Sequence, residues 1–308
     1  IPGCIDKVYS NIYNHEGYEM KKMRVRSERI PHIGDKFCLR EETEVLCESG
    51  WKSIKDVTKE DKVATLKDGK YISYEKPIDV YNFKYDGDMY KLTSQQVDLD
   101  VTMDHDLYVK KRDKTEFGLV PAKNVIGKRV RFKKDCTNNF DNVENITIGN
   151  SVFKMDHVLE LMGMFIADGW LETQNNSRIY ISGEKERKIK HLEDVCAKMN
   201  LEYVLRNSLT DSHLNDRKLG CKHYIKNEDL YEFFKTYNVG ATNKFLPDFA
   251  FTVSQNQAKI LLDSLISCDG SHNNQGSECY YTSSKKLAND VMKLAIHAGW
   301  SGSIKTVR

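Results

Sequence analysis

From residue 38 to about 135, apolar residues come in short β-branched runs separated by turn signals, "CESG" at 47–50, "KDGK" at 67–70 and "YDGD" at 85–88. Runs of this length broken at such points predict strands and hairpins, so the stretch reads as an all-β module. Ahead of it, "EGYEMKKMRVRSERIPHIGDKF" alternates tyrosine, valine and isoleucine with Lys21, Lys22, Arg24, Arg26 and Arg29. That pattern predicts a basic strand leading to a turn at Gly34-Asp35. Residues 136–150, "CTNNFDNVENITIGN", hold five asparagines and little apolar patterning, as a connection between domains would.

Beyond 150 the period changes from two to 3.6. "MDHVLELMGMFIADGW" is apolar almost all round and predicts a buried helix. "SRIYISG" predicts a strand, and "EKERKIKHLEDVCAKMN" an amphipathic helix with Ile189, Leu192, Val195, Cys196 and Met199 on one face. The order then recurs, with "QAKILLDSLISCDG" as helix, "SECYYTSS" as strand and "KKLANDVMKLAIHAGW" as helix. Residues 151–308 therefore read as an internal duplication.

Composition narrows the classes. The 308 residues are 40% apolar, enough for two ordinary cores, and 47 lysines and arginines nearly cancel 45 acids. A net charge of +2 does not by itself argue for nucleic acid; only local clusters could. The eight cysteines (4, 38, 47, 136, 196, 221, 268 and 279) form no CxxC pair, which favours a reducing compartment and no zinc site. No secretory pattern and no apolar run of spanning length occurs, so no membrane partner is expected. A start at Ile1 and a stop at Arg308 are expected of a fragment.

"LMGMFIADG" and "LDSLISCDG" align over nine residues, with Gly163 against Ser264 and Ala167 against Cys268. Small residues on matching faces allow two helices to pack closely about a pseudo-twofold axis, which would bring Asp168 and Asp269 to the same end. A carboxylate in a helix's last turn opposes the macrodipole by about 0.3–1 kcal/mol. Having two implies a positive partner, such as a hard divalent cation that organises water and leaving oxygen in phosphodiester cleavage. The plainer alternative is two glycine-capped helices that happen to pack.

On these residues, 151–308 resembles the LAGLIDADG homing endonucleases. The resemblance implies an α+β domain of pseudo-twofold αββαββα repeats, with Asp168 and Asp269 as magnesium (Mg2+) ligands and catalytic residues. It implies a monomeric enzyme that cuts a long double-stranded DNA site. "NKFLPDF" is similar to the family's lysine-and-proline element, making Lys244 a candidate active-site lysine or else a solvated loop lysine; no second lysine is assigned. DNA contacts are expected from Arg187 and Lys188, and from "GKRVRFKK" with Lys128, Arg129, Arg131 and Lys133, or these are solvated faces.

"CLREETEVLCESGWKSIKDV", opening at Cys38, resembles the first splicing block of inteins, and "VDLDVTMDHDLYV" the second, with Thr102 and His105 in place. The resemblance implies a Hint-type splicing domain over 38–135, the horseshoe-like fold shared with hedgehog autoprocessing domains, which needs no cofactor. It implies that the Cys38 thiol attacks the preceding carbonyl in an N-to-S acyl shift. His105 would protonate the leaving nitrogen and Thr102 would hold the oxyanion; Asp104 receives no role. The family's closing histidine and His-Asn blocks do not occur here, so only this first step is implied.

Residues 1–37, through "RVRSERIPHIGDKF", resemble the second-largest subunit of multisubunit DNA-directed RNA polymerases. The resemblance makes Lys36 a nucleic-acid contact, other polymerase subunits the host's partners, the uninterrupted polymerase gene the DNA target, and the nucleus or a viral cytoplasmic compartment the location. Two rivals stay open: a polymerase fragment with a non-catalytic nucleic-acid-binding insertion, and a splicing element whose endonuclease has decayed.

Overall fold

The computed structural model describes residues 4–13, 19–26, 39, 43–82, 85–94, 97–172, 177–183, 185–206, 222–272 and 278–306. The chain divides into two compact units, Ile1–Lys133 and Lys134–Arg308. Among the described residues no helix is long and apolar enough to cross a membrane.

The described part of the first unit consists of strands and two single 3-10 turns. The strands are β1 (Cys4–Tyr13), β2 (Glu19–Arg26), β3 (Glu44–Cys47), β4 (Gly50–Ser53), β5 (Val63–Lys67), β6 (Tyr71–Glu75), β7 (Met89–Thr93), β8 (Asp98–Thr102), β9 (Asp106–Lys111), β10 (Gly118–Pro121) and β11 (Val130–Phe132). They form small sheets in the orders β1-β2, β4-β3-β5-β6, β7-β8 and β10-β9-β11. The expected basic strand is β2; its partner β1, which the sequence reading passed over, places Cys4 opposite Arg26 and Tyr13 opposite Glu19.

Turn chemistry explains two hairpins. Asp68 and Gly69 both adopt left-handed backbone, at φ 53° and 64°, as a tight β5–β6 turn demands. Gly50 at φ 120° closes β3 against β4. "YDGD" differs from the expectation: it runs into β7 and closes no hairpin. Alternation on β9 buries Leu107 and Val109 with Val101, Ala122 and Val125 in a small core.

The second unit contains β12 (Asn145–Ile148), β13 (Ser151–Lys154), α1 (Met155–Asp168), β14 (Gly169–Leu171), β15 (Arg178–Ser182), α2 (Glu186–Lys198), β16 (Glu202–Arg206), β17 (Lys222–Lys226), α3 (Glu228–Lys235), α4 (Gln255–Asp269), β18 (Gly270–His272), β19 (Glu278–Tyr280) and α5 (Lys285–His297). The repeated order is present as α1-β14-β15-α2 and again as α4-β18-β19-α5. All-round apolarity puts α1 at the centre, with ten of its fourteen residues buried. On α2, Leu192, Val195, Cys196 and Met199 are buried, while Ile189 is half-buried. The strands β14-β15-β17-β16 form one antiparallel sheet. The strands β12, β13, β14, β16, β17 and β18 and the eight-residue α3 escaped the sequence reading; α3 is started by Asn227, whose side chain accepts from the Leu230 amide.

Residues 136–150, expected as a connection, are built into this second unit. The Asn138 side chain donates to the Val253 carbonyl at 3.0 Å, and its amide donates to Gln255 Oε1 at 3.0 Å. Buried Gln257 accepts from the Val143 amide at 3.0 Å and donates to the Val143 carbonyl at 2.6 Å and to Asp156 at 2.8 Å. The polar residues that made this segment look like a linker satisfy backbone groups that packing removes from water. Gln257→Leu strips partners from the part-buried Val143 amide and carbonyl and from Asp156, so it is expected to lower the unfolding free energy of this unit by about 2 kcal/mol, measured by urea titration.

Candidate functional site

Helices α1 and α4 pack at a point where neither has a bulky side chain. A Cβ on Gly163 would lie 2.5 Å from Ser264 Oγ and 3.1 Å from the Leu265 amide nitrogen, so only glycine permits this approach. The Ser264 hydroxyl donates across the seam to the Glu160 carbonyl at 2.6 Å, giving a buried polar group its partner. Ala167 and Cys268, aligned in the sequence, are both buried.

Each helix runs directly into a strand at its Asp-Gly. Gly169 and Gly270 are not left-handed caps: φ is −91° and −109°, with extended ψ. Their amides donate to the Phe165 and Ile266 carbonyls, and a Cβ at either would sit 2.6 or 2.4 Å from those same oxygens. Glycine caps both helices, and it is needed twice for close approach rather than for a left-handed turn. Asp168 and Asp269 are thereby the last helical residue of each repeat.

The carboxylates feel one another. Burial, and after it the Asp168 charge, raises the Asp269 carboxyl above its usual range; Lys188 and Lys244 pull it down more weakly. Burial and the same two carboxylates hold the Tyr280 phenol protonated. Burial pushes the Cys268 thiol up to about 11, so it is no nucleophile at neutral pH.

Three cations sit at these helix ends. Lys188 donates to Asp168 Oδ2 at 2.6 Å. Lys244 donates to the Ala167 carbonyl at 2.6 Å, and Arg187 to the Ser267 carbonyl at 3.4 Å. They offset the negative ends of two helix dipoles and two carboxylates at once. Lys244 is aimed by its backbone: Ser284 Oγ donates to its carbonyl at 2.6 Å, and the Leu246 amide donates to buried Asp290 at 3.0 Å. Sequence reasoning grouped Lys188 with the DNA-facing charges and passed over Ser284 and Asp290; only the fold brings α2 and α5 to the seam.

The donor set suits a hard cation that keeps most of its own water. Carboxylate oxygens are the right ligand type for magnesium, and the repulsion between Asp168 and Asp269 is what such an ion relieves. Among the described residues no group of three or more His, Cys, Asp or Glu could hold a metal.

In the first unit, Thr102 ends β8 and is buried, and buried His105 begins the run into β9. The His105 amide donates to the Thr102 carbonyl at 3.0 Å, and the turn between them is fixed from β10's end by Ala122 N to His105 O (2.7 Å) and Lys123 N to Met103 O (2.9 Å). Burial pushes the His105 pKa down, leaving a neutral imidazole at neutral pH. Asp104 points away, 81% exposed, and pairs with Lys123 at 2.5 Å. Leu39 bridges Val101, so the residue after Cys38 is paired beside Thr102. Cys38 and Lys36 themselves lie outside the described residues. Lys128, Arg129 and Arg131 are exposed around β11, and Lys133 lies over the Phe117 ring at 5.8 Å.

No protein-family model matches the chain. It is 32% identical over 295 residues to the ATP-dependent Clp protease proteolytic subunit of Chlamydomonas moewusii, covering 87% of this chain and 28% of that protein. It is 25% identical over 347 residues to the DNA-directed RNA polymerase subunit beta C-terminal section of Stigeoclonium helveticum, covering 97% and 31%. A match of 40 residues at 58% identity, 13% of this chain and 3% of the relative, is to DNA-directed RNA polymerase subunit 2 of Acanthamoeba polyphaga mimivirus. The chain spans less than a third of the length of the curated relatives it matches. Among solved structures, I-DmoI in complex with DNA and Mn is similar at a TM-score of 0.35 and 14% identity, over 49% of this chain and 82% of that one. Full-length DUF199/WhiA from Thermatoga maritima is similar at 0.26 and 14%, over 39% and 35%; both likenesses are partial.

A carboxyl whose pKa rises on folding holds its proton more tightly in the native chain, so its cost to stability appears as pH rises from about 4 through the raised value and is fully present at pH 7. Asp269→Asn removes that cost. The second unit of that variant is expected to melt about 2–4 °C higher than wild type at pH 7 and no higher at pH 3, read by calorimetry.

Proposed function

We propose that the chain is an intein-type splicing element carrying a LAGLIDADG homing endonuclease, set in a DNA-directed RNA polymerase host. The observation that carries the endonuclease is the Gly163–Ser264 approach, which draws two helices together and ends both in an aspartate with Lys188 and Lys244 alongside. A bound magnesium or similar divalent ion would supply the Lewis acidity that activates water and stabilises the leaving oxygen. Asp168 and Asp269 would hold it, Lys188 would release Asp168 toward it and turn to phosphate, and Lys244 would meet charge developing on the scissile group. Arg187, exposed at the start of α2, would reach the adjoining backbone phosphates of duplex DNA.

The splicing reading is supported by the Leu39–Val101 bridge, which pairs the neighbour of Cys38 beside Thr102 and the buried His105. The neutral His105 imidazole would take up the proton that the Cys38 thiol loses as its sulfur attacks the Phe37 carbonyl, and would pass it to the departing nitrogen, so that a C–S bond forms as the C–N bond breaks. Thr102 would steady the oxygen. Kinship supports an insert: a Clp protease subunit and a polymerase subunit, proteins of unrelated work, each match most of this chain with less than a third of their own length. The mimivirus match is to polymerase and is 40 residues long, close to the length of the segment before Cys38, which favours the polymerase host and a role for Lys36 in nucleic-acid contact.

Two assays separate the activities. With magnesium, the wild-type chain is expected to linearise a plasmid bearing the uninterrupted polymerase gene, and Asp168→Asn to reduce the rate at least 10²-fold; no cleavage by wild type supports the decayed-endonuclease rival. With dithiothreitol, the wild-type chain is expected to release residues 1–37, His105→Ala to do so about 10²-fold more slowly, and Cys38→Ala not at all. Asp168→Asn should leave that release unchanged. Equal release by wild type and Cys38→Ala would favour an inert insertion.

A further inference from the structure

Residues 110–134 hold ten lysines and arginines against two acids, while the whole chain carries a net charge of +2. The fold concentrates that surplus on one small sheet. Strand β11 pairs with β9 so that Arg131 stands directly opposite Lys110. Both therefore lie on the face away from buried Leu107 and Val109, and strand parity puts the flanking Arg129 and Lys133 on the same side. Aromatic rings interleave with these charges. Phe117 stacks on Tyr108 at 5.7 Å, with the Lys110 ammonium 5.3 Å and the Lys133 ammonium 5.8 Å from its centre.

This arrangement works against stability. Like charges directly opposite on an antiparallel pair repel. Lys123 is drawn off to Asp104, but among the described residues Lys110, Arg112, Lys128, Arg129 and Arg131 enter no ion pair. Asp106 closes the far end of the same face, across from Pro121. A three-stranded sheet holding repelling cations together is suited to a partner that is itself a regular polyanion.

We propose that this face of β9–β11 is a phosphate-binding surface for duplex DNA, distinct from the carboxylate seam on the second unit. The choice of DNA as occupant rests on the endonuclease reading; the charge surplus and its placement do not. Duplex is favoured over an anionic membrane because the Phe117 ring lies between the Tyr108 ring and the Lys110 and Lys133 ammonium groups rather than being presented for insertion. Arginines at 129 and 131 offer forked donors matched to phosphate. Contacts of this kind carry no base information, so the surface would bind any sequence and add salt-sensitive affinity.

The test uses the full chain, a duplex lacking any target site, and no divalent metal, so that binding is read apart from cleavage. Lys128→Gln/Arg129→Gln/Arg131→Gln is expected to bind at least tenfold more weakly at 0.1 M salt, with a salt slope shallower by about 0.9 for each phosphate contact removed. If the wild-type chain binds this duplex yet fails to cut the uninterrupted gene when magnesium is supplied, the endonuclease reading alone is lost. The thermal midpoint of the triple variant should hold or rise, because a like-charge opposition is relieved; Lys128→Gln/Arg129→Gln, which leaves β11 intact, repeats the binding test should it fall. Unchanged duplex affinity and slope overturn the proposal. So does weaker binding to phosphatidylglycerol vesicles with duplex binding intact, which would assign the face to a membrane surface.

Discussion

The contact of Gly163 with Ser264 is the constraint on which the second unit depends. Backbone meets side chain there with no room for a methyl group, and the serine hydroxyl is satisfied by the facing helix rather than by water. Two otherwise ordinary helices are locked in register by it. Everything chemical then follows from position: the same register that seats Ser264 on α1 sets Asp168 and Asp269 as terminal residues, each followed by a glycine that must pass within contact distance of its own helix's last carbonyls. Electrostatic strain accumulates where the helices end, and three basic side chains from α1's surroundings answer it. Proteins that hold like charges together commonly do so where chemistry needs them.

Much of this was legible in residue order. The helix-strand-helix recurrence, the small-residue match across the two nonapeptides and the paired aspartates are all local patterns, and each of the six elements read from them beyond residue 150 is present, while the short strands β14 and β18 were not read. What could not be read was long-range. Lys188 looked like one charge in a run because its meaning comes from α2 crossing to the end of α1. Asp290 and Ser284 have no signature at all; they matter because α5 supports the loop that aims Lys244. The asparagine-rich stretch before residue 150 misled for a related reason, since polar residues satisfy buried backbone as readily as they line a solvated loop.

The first unit teaches the converse. Its turns were readable from Asp68-Gly69, but its small core of Val101, Leu107 and Val109 gives little hint of a site. The Thr102–His105 turn gains significance from its hydrogen bonds to the chain at 122 and 123 and from the bridge to Leu39, which no periodicity announces. The two sets of proposed catalytic groups share no side chain, one drawing on a thiol and an imidazole and the other on carboxylates and lysines. On the proposed reading, splicing and DNA cleavage can therefore be altered separately.

The central claim is that the helix seam creates one metal site from two repeats. Manganese titrated into the full chain while amide NMR lines are followed tests it most directly, because the paramagnetic ion broadens only what it approaches. The account predicts that broadening sets in together at 167–169 and 268–270 and is lost in Asp168→Asn/Asp269→Asn. Broadening elsewhere alone, or broadening at these helix ends that survives the double substitution, would contradict it.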